Sequence, residues 1–320
     1  MAFMDFYNEY HDRLIWAAVP GVIIILCSVA VGIFGNSNIV LATIRSGKTR
    51  QSVHILIAAT AFSDILHQSS HVIFAINFFS LHTFTTLNNC FYQQVISFCG
   101  MNFGSFSYLT VGIDRLICIT FPLRYNSINH VLYVGGLLCL PLMYSMTFLF
   151  LSINSMQGDE NKLVLCFVTT PLNGNLGLYW NVAQWTTFAS TIVCYSIVWL
   201  LIRSKKARFS ERYARKLTRS LTFIVSGIIF GWFITTLVNI SAEKLGATDF
   251  DMFLVHTDFG WPANVAIAAN FFIYYSTYPD YRKAFTEQLS VIGIKTGKRK
   301  RAIRSKPTMF GQENSKPVTN

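Results

Sequence analysis

The chain has 320 residues, of which 52% are hydrophobic, 15% aromatic and only 13% charged, and its mean hydropathy is +0.42. Soluble domains carry about 25% charged residues, so the composition excludes an ordinary water-soluble domain and points to an all-helical membrane protein. The formal net charge of +11 does not indicate nucleic acid, because the bases are divided among segments flanking apolar runs rather than gathered on one surface.

Residues 1–16 carry Asp5, Glu9 and Asp12 ahead of the first apolar run, 17–44. That run is too long for a signal-peptide core and lacks a basic lead, so it reads as an uncleaved first membrane helix. Segment 53–79 follows, less clean because it holds Asp64, His67, Gln68 and His71. Segment 91–120 is rich in Gly, Ser and Asn before it meets Asp114-Arg115. Charge-free runs then recur at 131–153, 176–202, 220–241 and 259–278. Roughly 20 apolar residues cross the hydrocarbon core, so seven spans are expected. The two polar, small-residue segments suit helices surrounded by other helices rather than by lipid.

The loops on one side, 1–16, 80–90, 154–175 and 242–258, hold only Arg13, Lys162 and Lys244 of the 26 bases. The positive-inside rule therefore places the N-terminus outside and the C-terminus in the cytoplasm, as a multi-pass protein of the plasma membrane. Asn239-Ile240-Ser241 is the only Asn-x-Ser/Thr match, and it lies close to the membrane. Five of the seven cysteines fall within spans, whereas Cys90 and Cys166 belong to the outer face. In that oxidising compartment a disulfide between them is expected, two free thiols being the alternative.

The stretch Gly112-Ile-Asp-Arg-Leu-Ile-Cys-Ile-Thr-Phe-Pro-Leu-Arg-Tyr125 ends the third span. An acid and a base side by side are costly at the end of a membrane helix. Pro122, with no N–H to donate, stops the helix there. Asp64 is a lone carboxylate near mid-membrane, where a charge costs about 2.5–3.5 kcal/mol on insertion scales, so it must be hydrated, protonated or hydrogen-bonded. His67 and His71 stand at i, i+4 on the Asp64 face. That is also metal-ligand spacing, but a metal needs a third convergent ligand and only the distant His256 offers one. Pocket lining and an ordinary interior histidine remain the competing readings, and no metal, cofactor or catalytic constellation is expected.

In this order and spacing the chain resembles the rhodopsin-like G-protein-coupled receptors over residues ~17–290. The resemblance rests on Gly35-Asn36, Asp64, Cys90 lying 25 residues before Arg115, Pro122-Leu-Arg-Tyr125, Trp232, Asn270 with Tyr274, and Tyr281-Arg-Lys-Ala-Phe285. Asp-Arg-Leu, Gly-Trp and Asn-Phe-Phe-Ile-Tyr-Tyr in place of the commoner motifs are similar to the nematode serpentine chemoreceptors of the Srsx class. The fold implied is a seven-helix bundle over 17–278, an amphipathic eighth helix over 279–292 and a disordered basic tail over 293–320.

The resemblance also implies roles. Asp114 and Arg115 would hold the cytoplasmic end until the sixth helix swings outward, when Arg115 contacts a heterotrimeric G protein. Tyr195 and Tyr274 would stabilise the open form, with Trp232 and Asn270 in the same activation machinery. Asn36 and Asn270 would be the hydrogen-bond partners of Asp64. Ser97, Met101, Trp232, Thr236, Asn239, Phe259 and Asn264 would face an outward pocket. Ser97 stands where amine receptors carry an aspartate, so a small neutral or weakly polar ligand is implied. Arrestin is a further implied partner, and the basic runs suit anionic membrane lipids.

Several departures matter. No proline follows Trp232 or Asn270, the fourth span lacks a tryptophan, and Ala214, Arg215 and Lys216 stand where relatives carry an acid, with Glu211 a turn earlier. Gly104 stands where a sodium-binding residue is usual. A neuropeptide receptor of the same fold is the alternative function, although 154–175 shows no clear hairpin. Outside the class, a transporter would show internal repeats and broken helices, and a channel or membrane hydrolase would more readily have an inside N-terminus.

Overall fold

Hydrocarbon offers no water to backbone N–H and C=O groups, so a spanning segment must satisfy them internally. The computed structural model describes residues 3–45, 52–203 and 211–291, apart from the side chains of 126, 211–217 and 291, and is accordingly helical almost throughout. A short helix α1 (Phe3–Tyr10) and a single 3-10 turn lead into α2 (Val19–Arg45). Next come α3 (Ser52–Phe79), strand β1 (Phe84–Thr86), α4 (Leu87–Thr120), α5 (Pro122–Ser127) and α6 (His130–Ser155). Strand β2 (Leu163–Leu165), α7 (Leu176–Arg203), α8 (Glu211–Lys244), α9 (Asp249–Phe259), α10 (Trp261–Thr277) and α11 (Pro279–Val291) complete the chain.

The seven spans are α2, α3, α4, α6, α7, α8 and the α9–α10 pair. Four stretches, Trp16–Arg45, His130–Ser155, Leu176–Arg203 and Thr218–Lys244, are long and apolar enough to cross by composition alone. The more polar α3 and α4 lie inside. Asp64, His67, Gln68 and Ser70 of α3 and Ser97, Asn102, Ser107 and Asp114 of α4 are all buried. Lipid provides no hydrophobic drive between helices, so close packing of small residues has to hold them together. A Cβ at Gly35 would sit 2.7 Å from Phe271 Cβ, so the glycine lets α2 and α10 touch.

The seventh span differs from the expected 259–278. It begins at Asp249 and breaks at Gly260, just before Pro262 in the first turn of α10. Proline is tolerated there because the N–H it lacks would have had no helical partner. Neither α8 at Trp232 nor α10 at Asn270 is interrupted. The start of α9 is closed by a capping box. Asp251 N–H donates to Thr248 Oγ1 at 3.3 Å, and Thr248 N–H donates to Asp251 Oδ2 at 2.9 Å.

Helix α11 is amphipathic at helical spacing. Tyr281, Phe285 and Leu289 are buried, while Arg282, Lys283 and Glu287 are exposed. Its inner face stacks under α10, with Phe271–Phe285 ring centroids 4.6 Å apart and Tyr274–Tyr281 4.9 Å apart.

At the opposite end, Cys90 in α4 and Cys166 after β2 form a disulfide. Strand β2 pairs antiparallel with β1, Phe84 opposite Leu165, and makes no hairpin of its own. Helix α1, which lies within a segment read only as an outer terminus, packs firmly here. Phe6 is fully buried, with ring centroids 5.1 Å from Phe84, 5.3 Å from Phe250 and 5.6 Å from Phe253.

Candidate functional site

Three interior features follow the bundle axis from the disulfide end to the Arg115 end. The first is a cavity of about 970 Å³ beneath the residues that follow β2, at the upper end of the size range for small-molecule pockets. Trp232 of α8 lies against it, its indole stacked 6.0 Å from His67 and edge-on 6.4 Å from Trp180. Of the residues expected to face a pocket, Trp232, Thr236, Asn239 and Asn264 line it. Asn264 Nδ2 lies 3.1 Å from His71 Nε2 and donates to the Gly260 carbonyl at 3.1 Å.

The other three are placed elsewhere. Ser97 turns toward α3, where its hydroxyl meets that of Ser69 at 2.9 Å. Met101 is packed into a cluster with Phe98, Phe148, Leu176 and Trp180. Phe259 is 47% exposed, because the break at Gly260 leaves it on the outer surface of the bundle. His67, His71 and His256 all line the cavity. Among the described residues no group of three or more His, Cys, Asp or Glu side chains is arranged to hold a metal ion.

The second feature surrounds Asp64. Asn270 Nδ2 donates to Asp64 Oδ2 at 3.2 Å. The Tyr108 hydroxyl lies 3.0 Å from both carboxylate oxygens and donates its one proton between them. Asn36, the other expected partner, is buried, but its side chain makes no hydrogen bond among the described residues. Tyr108 was not anticipated, although a signal was present. It stands at i+4 from Gly104, and in a helix those positions share a face, so the small residue leaves room for a longer one to reach the same carboxylate. Below lies a void of about 20 Å³ bordered by Asp64, Tyr108, Tyr195, Asn270 and Tyr274, enough for about one water. Gly112 makes that packing feasible, since a Cβ there would be 2.9 Å from Tyr195 Cε2.

The third feature is the ion pair. Arg115 Nε donates to Asp114 Oδ2 at 2.8 Å, and both side chains are nearly inaccessible. Adjacent residues of a helix point about 100° apart, so only a bent-back Arg115 can reach Asp114. Tyr125 of α5 completes the arrangement. Its hydroxyl donates to Asp114 Oδ1 at 3.0 Å and accepts from Arg115 Nη2 at 3.2 Å. Tyr133 of α6 stands edge-on to the Tyr125 ring at 5.7 Å and holds it in place. The ion pair was legible in the sequence and the tyrosine that closes it was not, because the contact depends on how α5 folds back. Arg215, Lys216 and Glu211, weighed as neighbours of Arg115, have side chains outside the described residues.

A multi-pass bundle with a cavity under a disulfide-tethered loop and a closed Asp-Arg pair at its other end is built as a seven-transmembrane receptor. The family described as serpentine type 7TM GPCR chemoreceptor Srsx matches residues 29–289, and the chain belongs to that family. Among curated proteins no match is found.

Proposed function

We propose that the protein is a chemosensory receptor that binds a small neutral or weakly polar molecule at the disulfide end and activates a heterotrimeric G protein at the Arg115 end. The cavity carries this reading. It is large enough for such a ligand, and Trp232 lies between it and the polar interior around Asp64. A ligand that presses on Trp232 or His67 acts on α8, which shares the Asp64 void through Leu221, Ile224 and Val225.

In this mechanism the Asp114–Arg115–Tyr125 arrangement holds the resting form. Movement of α8 away from α4 opens the void, Tyr195 and Tyr274 rearrange into it, and Arg115 leaves Asp114 for the G protein. The disulfide end faces outward and the Arg115 end faces the cytoplasm, where the basic segments meet anionic lipid and where arrestin would bind.

A ligand screen in cells carrying a promiscuous G-protein reporter tests the proposal. An agonist should give a second-messenger response that Arg115→Ala abolishes while surface expression persists. An unchanged response from the well-expressed variant overturns the mechanism. Staining of an N-terminal epitope only after permeabilisation overturns the orientation.

A further inference from the structure

The cavity is closed toward the disulfide end. Phe167, next to the bridged Cys166, stacks on His256 at 5.4 Å and on Phe74 at 4.9 Å, so the segment after β2 lies across the bundle. Beyond Phe74 and Phe253, α1 adds the Phe6 cluster as a second layer.

The side between α7 and α8 is different. Helix α7 packs closely on α4 but only sparsely on α8. Three residues bordering the cavity there are also open on the outer surface of the bundle: Leu178 at 65%, Val182 at 59% and Ile240 at 45% exposure. The lower edge of this slot is marked by Trp185, edge-on to Phe233 at 6.2 Å. From Leu176 to Trp185 a helix rises about 14 Å, so the slot lies within the half of the bilayer on the disulfide side. Exposed Leu, Val and Ile side chains at that depth face acyl chains rather than water.

The cavity lining defines what could pass through. It contains no Lys or Arg, and its single carboxylate is Glu243. An anionic head group would therefore find no countercharge among the described residues. The rest of the lining mixes apolar and aromatic side chains with neutral amides, hydroxyls and imidazoles, which suits an uncharged, mostly apolar ligand.

We propose that the ligand is a neutral lipophilic molecule that enters sideways from the bilayer through the α7–α8 slot. This rests on the receptor reading above and adds the entry route and the ligand chemistry.

The test uses the full-length protein in phospholipid vesicles and photolabelling, which needs no G protein. One probe is a long-chain primary alcohol with a mid-chain diazirine, supplied in the bilayer. The other is a short, water-soluble diazirine alcohol. The bilayer probe should label cavity peptides around Ser70 and Asn239. V182W/I240W, which fills the slot, should cut that labelling several-fold while labelling of lipid-facing Met143 stays the same. W185A, which lowers the sill, should speed labelling and guards against a slot variant that merely misfolds. Cavity labelling indifferent to both variants, or produced only by the water-soluble probe, overturns the proposal. Failure of the receptor reading looks different: slot-dependent labelling would persist, but no ligand would drive nucleotide exchange.

Discussion

Tyr125→Phe isolates the restraint on Arg115 without touching either charge. In the structure the Tyr125 hydroxyl donates to Asp114 Oδ1 at 3.0 Å and accepts from Arg115 Nη2 at 3.2 Å. Hydrogen bonds to charged groups contribute about 1.5–3 kcal/mol each. The 3.2 Å contact is at the long limit for such a bond, so about 1.5–3 kcal/mol for the hydroxyl as a whole is a fair figure. If only the resting form holds these contacts, their loss moves the resting–active equilibrium by roughly 10- to 150-fold, since about 1.4 kcal/mol is a factor of ten. The phenyl ring stays, so its edge contact with Tyr133 at 5.7 Å is retained.

The assay is ligand-free nucleotide exchange on a heterotrimeric G protein, with wild type and variant in vesicles at matched amounts. Exchange should rise in the variant by up to the stated factor, limited by how much of the wild type is already active. Basal exchange that is unchanged or lower, from a variant of normal abundance, would refute the idea that Tyr125 restrains the resting state.

Tyr108→Phe should lower thermal stability by about 1–3 kcal/mol, because buried Asp64 keeps only its Asn270 donor. Combined with Asp64→Asn the loss should be clearly sub-additive in a double-mutant cycle, and simple additivity would argue against a shared network. Gly112→Val places a Cβ 2.9 Å from Tyr195 and should destabilise the bundle by about 1–3 kcal/mol through overpacking, read as a lower melting temperature. Cys90→Ser frees a loop of 76 residues. It should cost about 2–5 kcal/mol and increase protease cleavage within 157–175. At the start of α9, Thr248→Val removes the hydroxyl that caps the helix and should lower amide protection over 249–259, read by hydrogen exchange.

What could be read without coordinates was carried by local chemistry. Apolar length reveals a membrane span whatever its neighbours do, so the spans were legible, as were the Cys90–Cys166 pair and the 281–289 face of α11. The Asp114-Arg115 pair needed only two adjacent letters. The seventh span was less legible. Its first half, α9, carries Asp249, Asp251, His256 and Asp258, and that polarity hid a helix which the Thr248 capping box begins and Pro262 later offsets.

Other features depend on rotation of one helix against another, which neither hydropathy nor motif spacing encodes. Ser97 and Met101 sit on α4 at pocket-like spacing, yet the packing of α4 turns them toward Ser69 and the Trp180 cluster. Tyr108 reaches Asp64 across 44 positions, Tyr125 folds back onto Asp114 across 11, and Phe6 buries itself among residues more than 70 positions away. By itself the sequence determined how many times the chain crosses the membrane, which residues are too polar to face lipid, and where the Asp-Arg pair closes the third span. Only the tertiary structure decided which groups meet those polar residues, and that the cavity is roofed by aromatic rings while open between α7 and α8. The reason is physical: transfer into lipid is a property of each segment alone, whereas hydrogen bonds and cavity walls exist only once two segments have a fixed distance and angle between them.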